Sequence, residues 1–199
     1  ITLALGIQRM AKRNALIKHL PSAETLGATT VICSDKTGTL TKNEMTCEYV
    51  YADEQLFHVT GVGYSARGDV QSNNERISIE KESGLWYTIA AGMHCNNAQY
   101  NPTTENMLGD PTEGAMLVVG YKSGIQNVLN RVKEIPFTSE RKKMATVHEM
   151  GNGTYRTFAK GAVEKILDEC TWVLEHGKRI PLTAGKRNQF LTQAEELSK

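Results

Sequence analysis

The sequence predicts an α+β fold in which one strand of an α/β sheet precedes a larger, mostly antiparallel sheet flanked by helices. A short β-branched run over residues 29–33 ends in a polar cluster, as a buried strand of a parallel sheet does. Residues 45–82 then alternate as strands separated by glycine turns, and further strands are predicted within residues 128–159 and 171–174. We expect the second part to be an insertion into the first, with its return to the first sheet beyond residue 199.

Composition excludes several classes of protein. The chain has 199 residues, 40% hydrophobic and 23% charged, which is typical of one large globular domain or one domain plus part of another. A net charge of +1 provides no basic field for nucleic acid, so no nucleic-acid partner is expected. The four cysteines are far apart and lack metal-site spacing, and we expect them to be buried thiols. Because no apolar run approaches the ~20 residues that cross a bilayer, we expect no transmembrane segment.

The sequence before residue 27 has one helical pattern and one short capped helix or turn. Residues 1–19 have near-helical apolar spacing, and Pro21 is expected to end that helix. Its basic residues are typical of a segment just cytoplasmic of a membrane helix, although an ordinary amphipathic surface helix has the same pattern. Residues 22–26 indicate a short capped helix or turn.

The remaining elements follow from spacing and caps. Ser83 and Asp110 are predicted N-caps, and Gly151, Asn152 and Gly153 are predicted to form a hairpin turn. The predicted helices span residues 83–98, 110–122 and 163–170, and a last one begins at 185. The predicted strands span residues 45–51, 56–60, 77–79, 128–137, 144–149, 154–159 and 171–174.

The segment DKTGTLT, residues 35–41, places a carboxylate at the carboxyl end of the predicted strand, where open α/β sheets bind ligands. An ionised aspartate attacks phosphorus when Mg2+ and a nearby lysine offset the charge of the two anions. Gly38 lets the backbone turn close to a phosphoryl group. The residues alone also fit a strand followed by an aspartate-capped turn.

The longer run ICSDKTGTLT resembles the phosphorylation signature of P-type (E1-E2) cation-transporting ATPases, in their calcium-pump-like branch. The resemblance implies that Asp35 forms an aspartyl-phosphate and that Asp35 and the backbone carbonyl of Thr37 bind Mg2+. It also implies a haloacid-dehalogenase-like phosphorylation domain into which a nucleotide-binding domain is inserted. Hydrolases of that class usually carry a second aspartate where Thr37 stands, so water attack on the phosphoenzyme is expected to be slow.

The resemblance covers essentially the whole chain and divides it into three parts. Residues 1–27 are expected to be a stalk helix and linker from a membrane helix, residues 28–41 the start of the phosphorylation domain, and residues 42–199 a nucleotide-binding domain truncated at its end. The expected partners are ATP and the membrane and actuator domains of the same full-length chain, an integral membrane protein whose cytoplasmic face would carry this part. The family's acidic Mg2+-binding loop does not occur before residue 199, so we expect ATP binding without efficient self-phosphorylation.

Two further segments resemble the family's adenosine pocket. In GDPTEGA, residues 109–115, Glu113 is the carboxylate expected to accept the adenine amino group, although the same residues fit a capping box. In KGAVE, residues 160–164, Lys160 would lie at the mouth of the pocket and Gly161 would allow the purine close to the backbone.

The segment PFTSERKKM, residues 136–144, resembles the part that stacks on adenine. Phe137 would supply the aromatic face, and Arg141 or Lys142 would meet the phosphates. From the residues alone, Phe137 fits a core position and the charged run fits a solvated turn. The segment CNNA, residues 95–98, is also similar to the family, and we assign it only a packing role.

The resemblance therefore implies ATP hydrolysis coupled to cation transport, with ATP and Mg2+ as cofactors. The sequence of residues 20–27 and 160–164 is most similar to that of calcium pumps, so calcium is the expected cation and sodium, potassium or protons are the alternatives. Two other functions fit the residues: a stand-alone phosphatase of the dehalogenase class, and a non-catalytic nucleotide-binding module.

Overall fold

The computed structural model describes residues 2–125 and 129–199. The chain forms two compact units, Ile1–Asn43 and Glu44–Lys199. Within the described ranges, no helix is both long and apolar enough to cross a membrane.

The first unit contains two helices, α1 (Thr2–Ala11) and α2 (Leu20–Gly27). The prediction of one helix over residues 1–19 is wrong in its length, since α1 ends at Ala11; Ile1 lies outside the described residues. Pro21 lies in the first turn of α2 instead of ending a helix. The first turn tolerates proline because its N–H groups have no partner within the helix.

The predicted buried strand at residues 29–33 is also wrong. These residues form no strand, and the side chains of Val31 and Ile32 are 73% and 80% exposed. A strand of a parallel sheet needs neighbouring strands for its hydrogen bonds and helices to cover it. Every strand pair among the described residues is antiparallel and belongs to the second unit. The wide turn Lys36–Leu40 follows, where a glycine turn was predicted, and Gly38 has a φ of +74°.

The second unit contains two larger antiparallel sheets and two two-stranded ones. The strands of the first are β1 (Tyr49–Ala52), β2 (Gln55–Val59), β3 (Val70–Ser72) and β4 (Glu75–Arg76), in that order. A strand at residues 77–79 was predicted wrongly, because the strands pair at β3 and β4 around a tight turn at Asn73 and Asn74, which both have positive φ. Ile77 and Ile79 pack on the core from the loop after that hairpin.

The second sheet consists of β7 (Asn130–Ile135), β8 (Lys143–Gly151) and β9 (Thr154–Gly161). The predicted hairpin joins β8 to β9 through Asn152 and Gly153, whose φ values of 52° and 72° suit a two-residue turn with both φ positive. Val128, where the preceding strand was predicted to begin, lies outside the described residues.

The other elements of this unit cover and connect the two sheets. The remaining strands form two hairpins, β5 (Gln99–Asn101) with β6 (Asn106–Leu108), and β10 (Trp172–Glu175) with β11 (Lys178–Pro181). The helices are α3 (Gly84–His94), α4 (Pro111–Lys122), α5 (Val163–Leu167) and α6 (Ala184–Leu197). The predicted α+β class with mostly antiparallel sheets flanked by helices is confirmed, whereas the dehalogenase-like insertion stays a prediction.

Helix α3 contributes to two hydrophobic clusters. Ile89 packs with the core of the first sheet, and Ala90 packs with Met144 and Phe158 of the second sheet. Cys95, just after α3, is buried in the second cluster, whereas Cys33 and Cys170 are exposed, so the prediction of four buried thiols is wrong.

Two buried histidines lie beside the second cluster. His94 ends α3 and His148 lies on β8, with ring centroids 5.4 Å apart. The Thr146 hydroxyl contacts both, since it donates to the His94 carbonyl at 3.2 Å and lies 3.0 Å from His148 Nε2. Burial lowers the pKa of both imidazoles, and for His94, where the neighbouring His148 adds to the effect, to about 4.

Candidate functional site

The second unit contains a cleft of about 1000 Å³ between the start of α4 and the adjoining ends of β7, β8 and β9. Its volume lies at the upper end of the range for small-molecule sites, roughly 300–1000 Å³. Five of the six residues predicted to bind the nucleotide line this cleft: Glu113, Phe137, Lys142, Lys160 and Gly161. Residues separated by almost fifty positions in the chain therefore share one cleft.

Glu113 enters the cleft from the first turn of α4. The N-cap of this helix is Asp110, whose Oδ1 accepts hydrogen bonds from the N–H groups of Thr112 at 2.8 Å and Glu113 at 3.2 Å. The bond from the Glu113 N–H is the largest of the effects that lower the pKa of Asp110. In a capping box the Glu113 side chain would bond to the backbone of Asp110, but its carboxylate bonds to Lys160 and Asn97 instead. The capping-box alternative therefore holds for Asp110 and not for the side chain of Glu113.

The carboxylate of Glu113 forms an ion pair with Lys160. Lys160 Nζ lies 2.8 Å from Glu113 Oε1, and the side chains of Lys160 and Glu113 are only 17% and 15% exposed. Glu113 Oε2 accepts the backbone N–H of Asn97 at 3.0 Å. Each charge thus has a partner in a place where water is scarce, and removing one would leave the other poorly solvated.

Gly161 lies at the tight junction between β9 and the turn before β8. A Cβ atom added there would lie 2.4 Å from the backbone oxygen of Lys142. The same oxygen accepts the N–H of Ala162 at 2.9 Å. Glycine is therefore required at this position by the packing of its own backbone against Lys142, as well as by the predicted approach of a purine.

Lys142 is held in the left-handed region, with a φ of 53°. Its N–H donates to the carbonyl of Thr138 at 2.8 Å, which closes the turn that precedes β8. A left-handed lysine is unusual, and the closed turn maintains it. This conformation is part of the wall of the cleft, which Lys142 lines.

Phe137 and Arg141 differ in their placement. The Phe137 side chain is 56% exposed and lines the cleft, so the alternative that it belongs to the core is wrong. Arg141 folds back onto its own turn, where Nη2 donates to the Pro136 carbonyl at 2.5 Å and Nε to the Thr138 hydroxyl at 3.2 Å. Of the two cations predicted to meet the phosphates, Lys142 lines the cleft and Arg141 does not.

Asn97 and Glu134 also line the cleft and were not predicted as site residues. Asn97 belongs to the CNNA segment, which was assigned only a packing role. That role holds for its neighbour Asn96, which is buried and donates through Nδ2 to the carbonyls of Gly92 and Glu113. The resemblance of the CNNA segment to the family was the available signal for Asn97, whereas Glu134 lies in a charged strand without any.

Asp35 and Thr37 lie in the first unit. Asp35 Oδ1 accepts the Thr37 N–H at 3.1 Å and so caps the turn Lys36–Leu40. The Thr41 hydroxyl closes the other end of that turn by donating to the Lys36 carbonyl at 3.3 Å. Over residues 2–125 and 129–199, no cluster of three or more His, Cys, Asp or Glu side chains is arranged to hold a metal ion. The Mg2+ site at Asp35 and Thr37 stays a prediction.

Comparison with known proteins identifies similar chains. Residues 86–199 match the family described as P-type ATPase, cytoplasmic domain N. The chain is 39% identical over 204 residues to calcium-transporting ATPase 1 of Bacillus cereus, covering 100% of this chain and 21% of the relative. It is 44% identical over 180 residues to a probable cation-transporting ATPase F of Mycobacterium tuberculosis, covering 85% and 20%. It is 39% identical over 197 residues to the human calcium-transporting ATPase type 2C member 1, covering 96% and 21%. The chain spans about a fifth of the length of these relatives.

Proposed function

The chain belongs to the P-type cation-transporting ATPases, and on that premise we propose that residues 44–199 bind ATP in the cleft beside Glu113 and that Asp35 accepts the γ-phosphate. The observation that carries the first half is the convergence of Glu113, Phe137 and Lys160 on one cleft from three separate elements. The second half rests on the phosphorylation signature around Asp35.

Each cleft residue has a role that its surroundings support. The exposed ring of Phe137 is available to stack on a purine. Each oxygen of Glu113 has a lone pair beyond the one used by Lys160 or Asn97, and so can accept the adenine amino group. Lys142 and Lys160 line the cleft together with the carboxylates of Asp110, Glu113 and Glu134, so its positive charge is local. Because Lys160 is paired with Glu113, we assign the phosphate contact to Lys142.

The reaction at Asp35 is a phosphoryl transfer. A carboxylate oxygen of Asp35 attacks the γ-phosphorus, the bond from that phosphorus to the β–γ bridging oxygen breaks, and ADP leaves with the electron pair. The carboxylate of Asp35 and the backbone carbonyl of Thr37 supply oxygen ligands of the kind that Mg2+ prefers. Mg2+ commonly has only one or two protein ligands, and water and phosphate oxygens fill the rest of its coordination shell. When bound, Mg2+ supplies positive charge that offsets the charge of the phosphates.

In the longer protein, we expect this reaction to drive cation transport at the cytoplasmic face of a membrane, together with membrane and actuator domains. Two of the relatives described above are named as calcium-transporting, which favours calcium over sodium, potassium or protons. The non-catalytic module remains the second candidate, because the exposed turn at Asp35 contains two donors to a metal and not a complete site. A stand-alone phosphatase is disfavoured by Thr37, which stands where such enzymes need an acid.

Calorimetric titration with ATP tests the cleft. We expect Phe137→Ala and Lys160→Ala each to weaken ATP binding by about tenfold, the loss of roughly 1.4 kcal/mol. Tyr155→Ala serves as the control, because Tyr155 is an exposed aromatic residue of β9 that does not line the cleft. If both cleft variants bind ATP as tightly as the unaltered chain, the proposed location of the nucleotide is wrong.

A further inference from the structure

Arg131 organises a ring of polar side chains behind the cleft. Its Nη1 donates to Asn97 Oδ1 at 2.6 Å and to Glu134 Oε2 at 3.2 Å, and its Nη2 donates to the Asn96 carbonyl. Asn97 Nδ2 closes the ring by donating to Glu134 Oε1 at 2.9 Å. Arg131 and Glu134 are each 32% exposed, so the ion pair within the ring is only partly screened by water. Arg131 lies outside the cleft wall, whereas Asn97 and Glu134 are part of it.

The segment held by Arg131 in turn holds Glu113. The Asn97 N–H donates to Glu113 Oε2 at 3.0 Å, and Asn96 Nδ2 donates to the Glu113 carbonyl at 2.8 Å. Two consecutive residues therefore secure both the backbone and the carboxylate of Glu113. Lys160 fixes the other carboxylate oxygen at 2.8 Å, so neither oxygen can rotate without losing a charge-assisted hydrogen bond.

A carboxylate fixed in this way accepts further hydrogen bonds only along its remaining lone pairs. A purine with a 6-amino group presents a donor to such an acceptor, whereas a 6-oxo purine presents a second acceptor, which the carboxylate repels. The strength of this discrimination depends on how well the carboxylate keeps its orientation. The groups that maintain the orientation are thus part of the specificity, even where they do not touch the ligand.

We infer that Arg131 is a positioning residue for nucleotide recognition: through Asn97 it fixes the Glu113 carboxylate and thereby sets the preference of the cleft for 6-amino over 6-oxo purine nucleotides. The inference rests on the proposed function, since it assumes that the purine reaches Glu113. It goes further in naming a residue of β7, outside the cleft wall, that determines the choice of base.

The test compares the dissociation constants of ATP and of inosine triphosphate, whose purine carries a 6-oxo group, measured by calorimetry on the whole chain. The unaltered chain is expected to prefer ATP by about 10- to 100-fold, the range that corresponds to one hydrogen bond to a charged group. In Arg131→Met, the preference is expected to fall at least about fivefold. A partly unfolded variant would weaken both ligands equally, so the ratio reports positioning and not stability.

Three further variants sharpen the test. Arg131→Lys retains the charge beside Glu134 but lacks the guanidinium group that bonds to both Asn96 and Asn97. Its preference for ATP is expected to lie between those of the unaltered chain and Arg131→Met. In a Glu113→Gln background, Arg131→Met is expected to change the ratio no further, because it acts through that carboxylate. Arg156→Met is the matched control: this half-buried arginine of β9 lies over the ring of Tyr87 and away from the cleft, and its removal is expected to leave the ratio unchanged.

An unchanged ratio in Arg131→Met overturns the inference, as does a further drop when Arg131→Met is added to Glu113→Gln. Equal affinity of the unaltered chain for both nucleotides also overturns it, while leaving ATP binding in the cleft intact. Failure of the unaltered chain to bind ATP at all would instead contradict the proposed function.

Discussion

Replacing Lys160 by methionine removes one partner of the Glu113–Lys160 ion pair and keeps most of the side-chain volume. At 2.8 Å and an effective dielectric constant of 20, the attraction between the two charges is about 6 kcal/mol before desolvation is subtracted. Breaking a fully buried pair costs about 3–5 kcal/mol because the remaining charge stays desolvated. Glu113 retains the Asn97 N–H and is 15% exposed, so we expect a smaller loss, about 2–3 kcal/mol.

The assay is denaturation of the chain without nucleotide, by urea and by heat, monitored through tryptophan fluorescence. For a unit of this size, Glu44–Lys199, the loss corresponds to a fall of the melting temperature by roughly 4–12 °C. The double variant Glu113→Gln with Lys160→Met is expected to recover at least half of the loss, because it removes the stranded charge.

The matched control is Lys143→Met, which removes the ion pair with Glu169 in the turn after α5. The Glu169 side chain is 63% exposed, and exposed pairs contribute only about 0–1 kcal/mol. The reasoning is refuted if Lys160→Met unfolds within about 0.5 kcal/mol of the unaltered chain. It is also refuted if the double variant is no more stable than the single one.

Three other predictions concern separate parts of the chain. The pKa of His94 is about 4 in the folded state and near 6.5 in the unfolded chain, so protons bind the unfolded chain preferentially. The free energy of unfolding is therefore highest above pH 6.5 and falls by up to roughly 3 kcal/mol as the pH is lowered towards 4. Urea titrations should show this fall, and His94→Phe should remove most of it. Gly161→Ala should lower stability by about 1–3 kcal/mol and weaken ATP binding, since the added Cβ would lie 2.4 Å from a backbone oxygen. Its control is Gly185→Ala, which should be neutral or slightly stabilising in thermal melts because no atom lies nearer than 3.9 Å to the added Cβ. Any acid-stable label from [γ-32P]ATP, however slow to form, should disappear in Asp35→Asn and persist in Asp69→Asn.

Each of these has a contrary result. A urea midpoint for His94→Phe that falls with acid as steeply as that of the unaltered chain would mean that another group binds the protons. Equal melting temperatures for the two alanine variants would show that β9 shifts easily at Gly161. Label that persists in Asp35→Asn would mean that a residue other than Asp35 carries the phosphate.

Local interactions were predictable because both partners lie within a few residues of each other. The Ser83 hydroxyl accepts the Trp86 N–H at 3.1 Å, and Asp110 caps α4 in the same way, as their positions in the sequence indicate. The hairpin at Asn152 and Gly153 follows from the ease with which these residues adopt positive φ. The family motifs belong to the same class, because they are runs of adjacent residues.

The strand predictions failed where they needed partners elsewhere in the chain. Residues 29–33 have the composition of a buried strand, yet composition supplies neither the neighbouring strand nor the covering helix. Ile77 and Ile79 alternate as a strand does, but the turn at Asn73 and Asn74 places the pairing earlier in the chain.

By itself, the sequence determined the family, the caps and turns, and which side chains were candidates for binding a nucleotide. Only the tertiary structure decided what those side chains do. It pairs Glu113 with Lys160 rather than with the cap of its own helix, leaves Phe137 exposed in the cleft, and turns Arg141 back onto its own loop. It also connects Arg131 to Glu113 through Asn97. The physical reason is that a hydrogen bond or ion pair depends on distance in space, and the chain brings these groups together only when its sheets and helices pack.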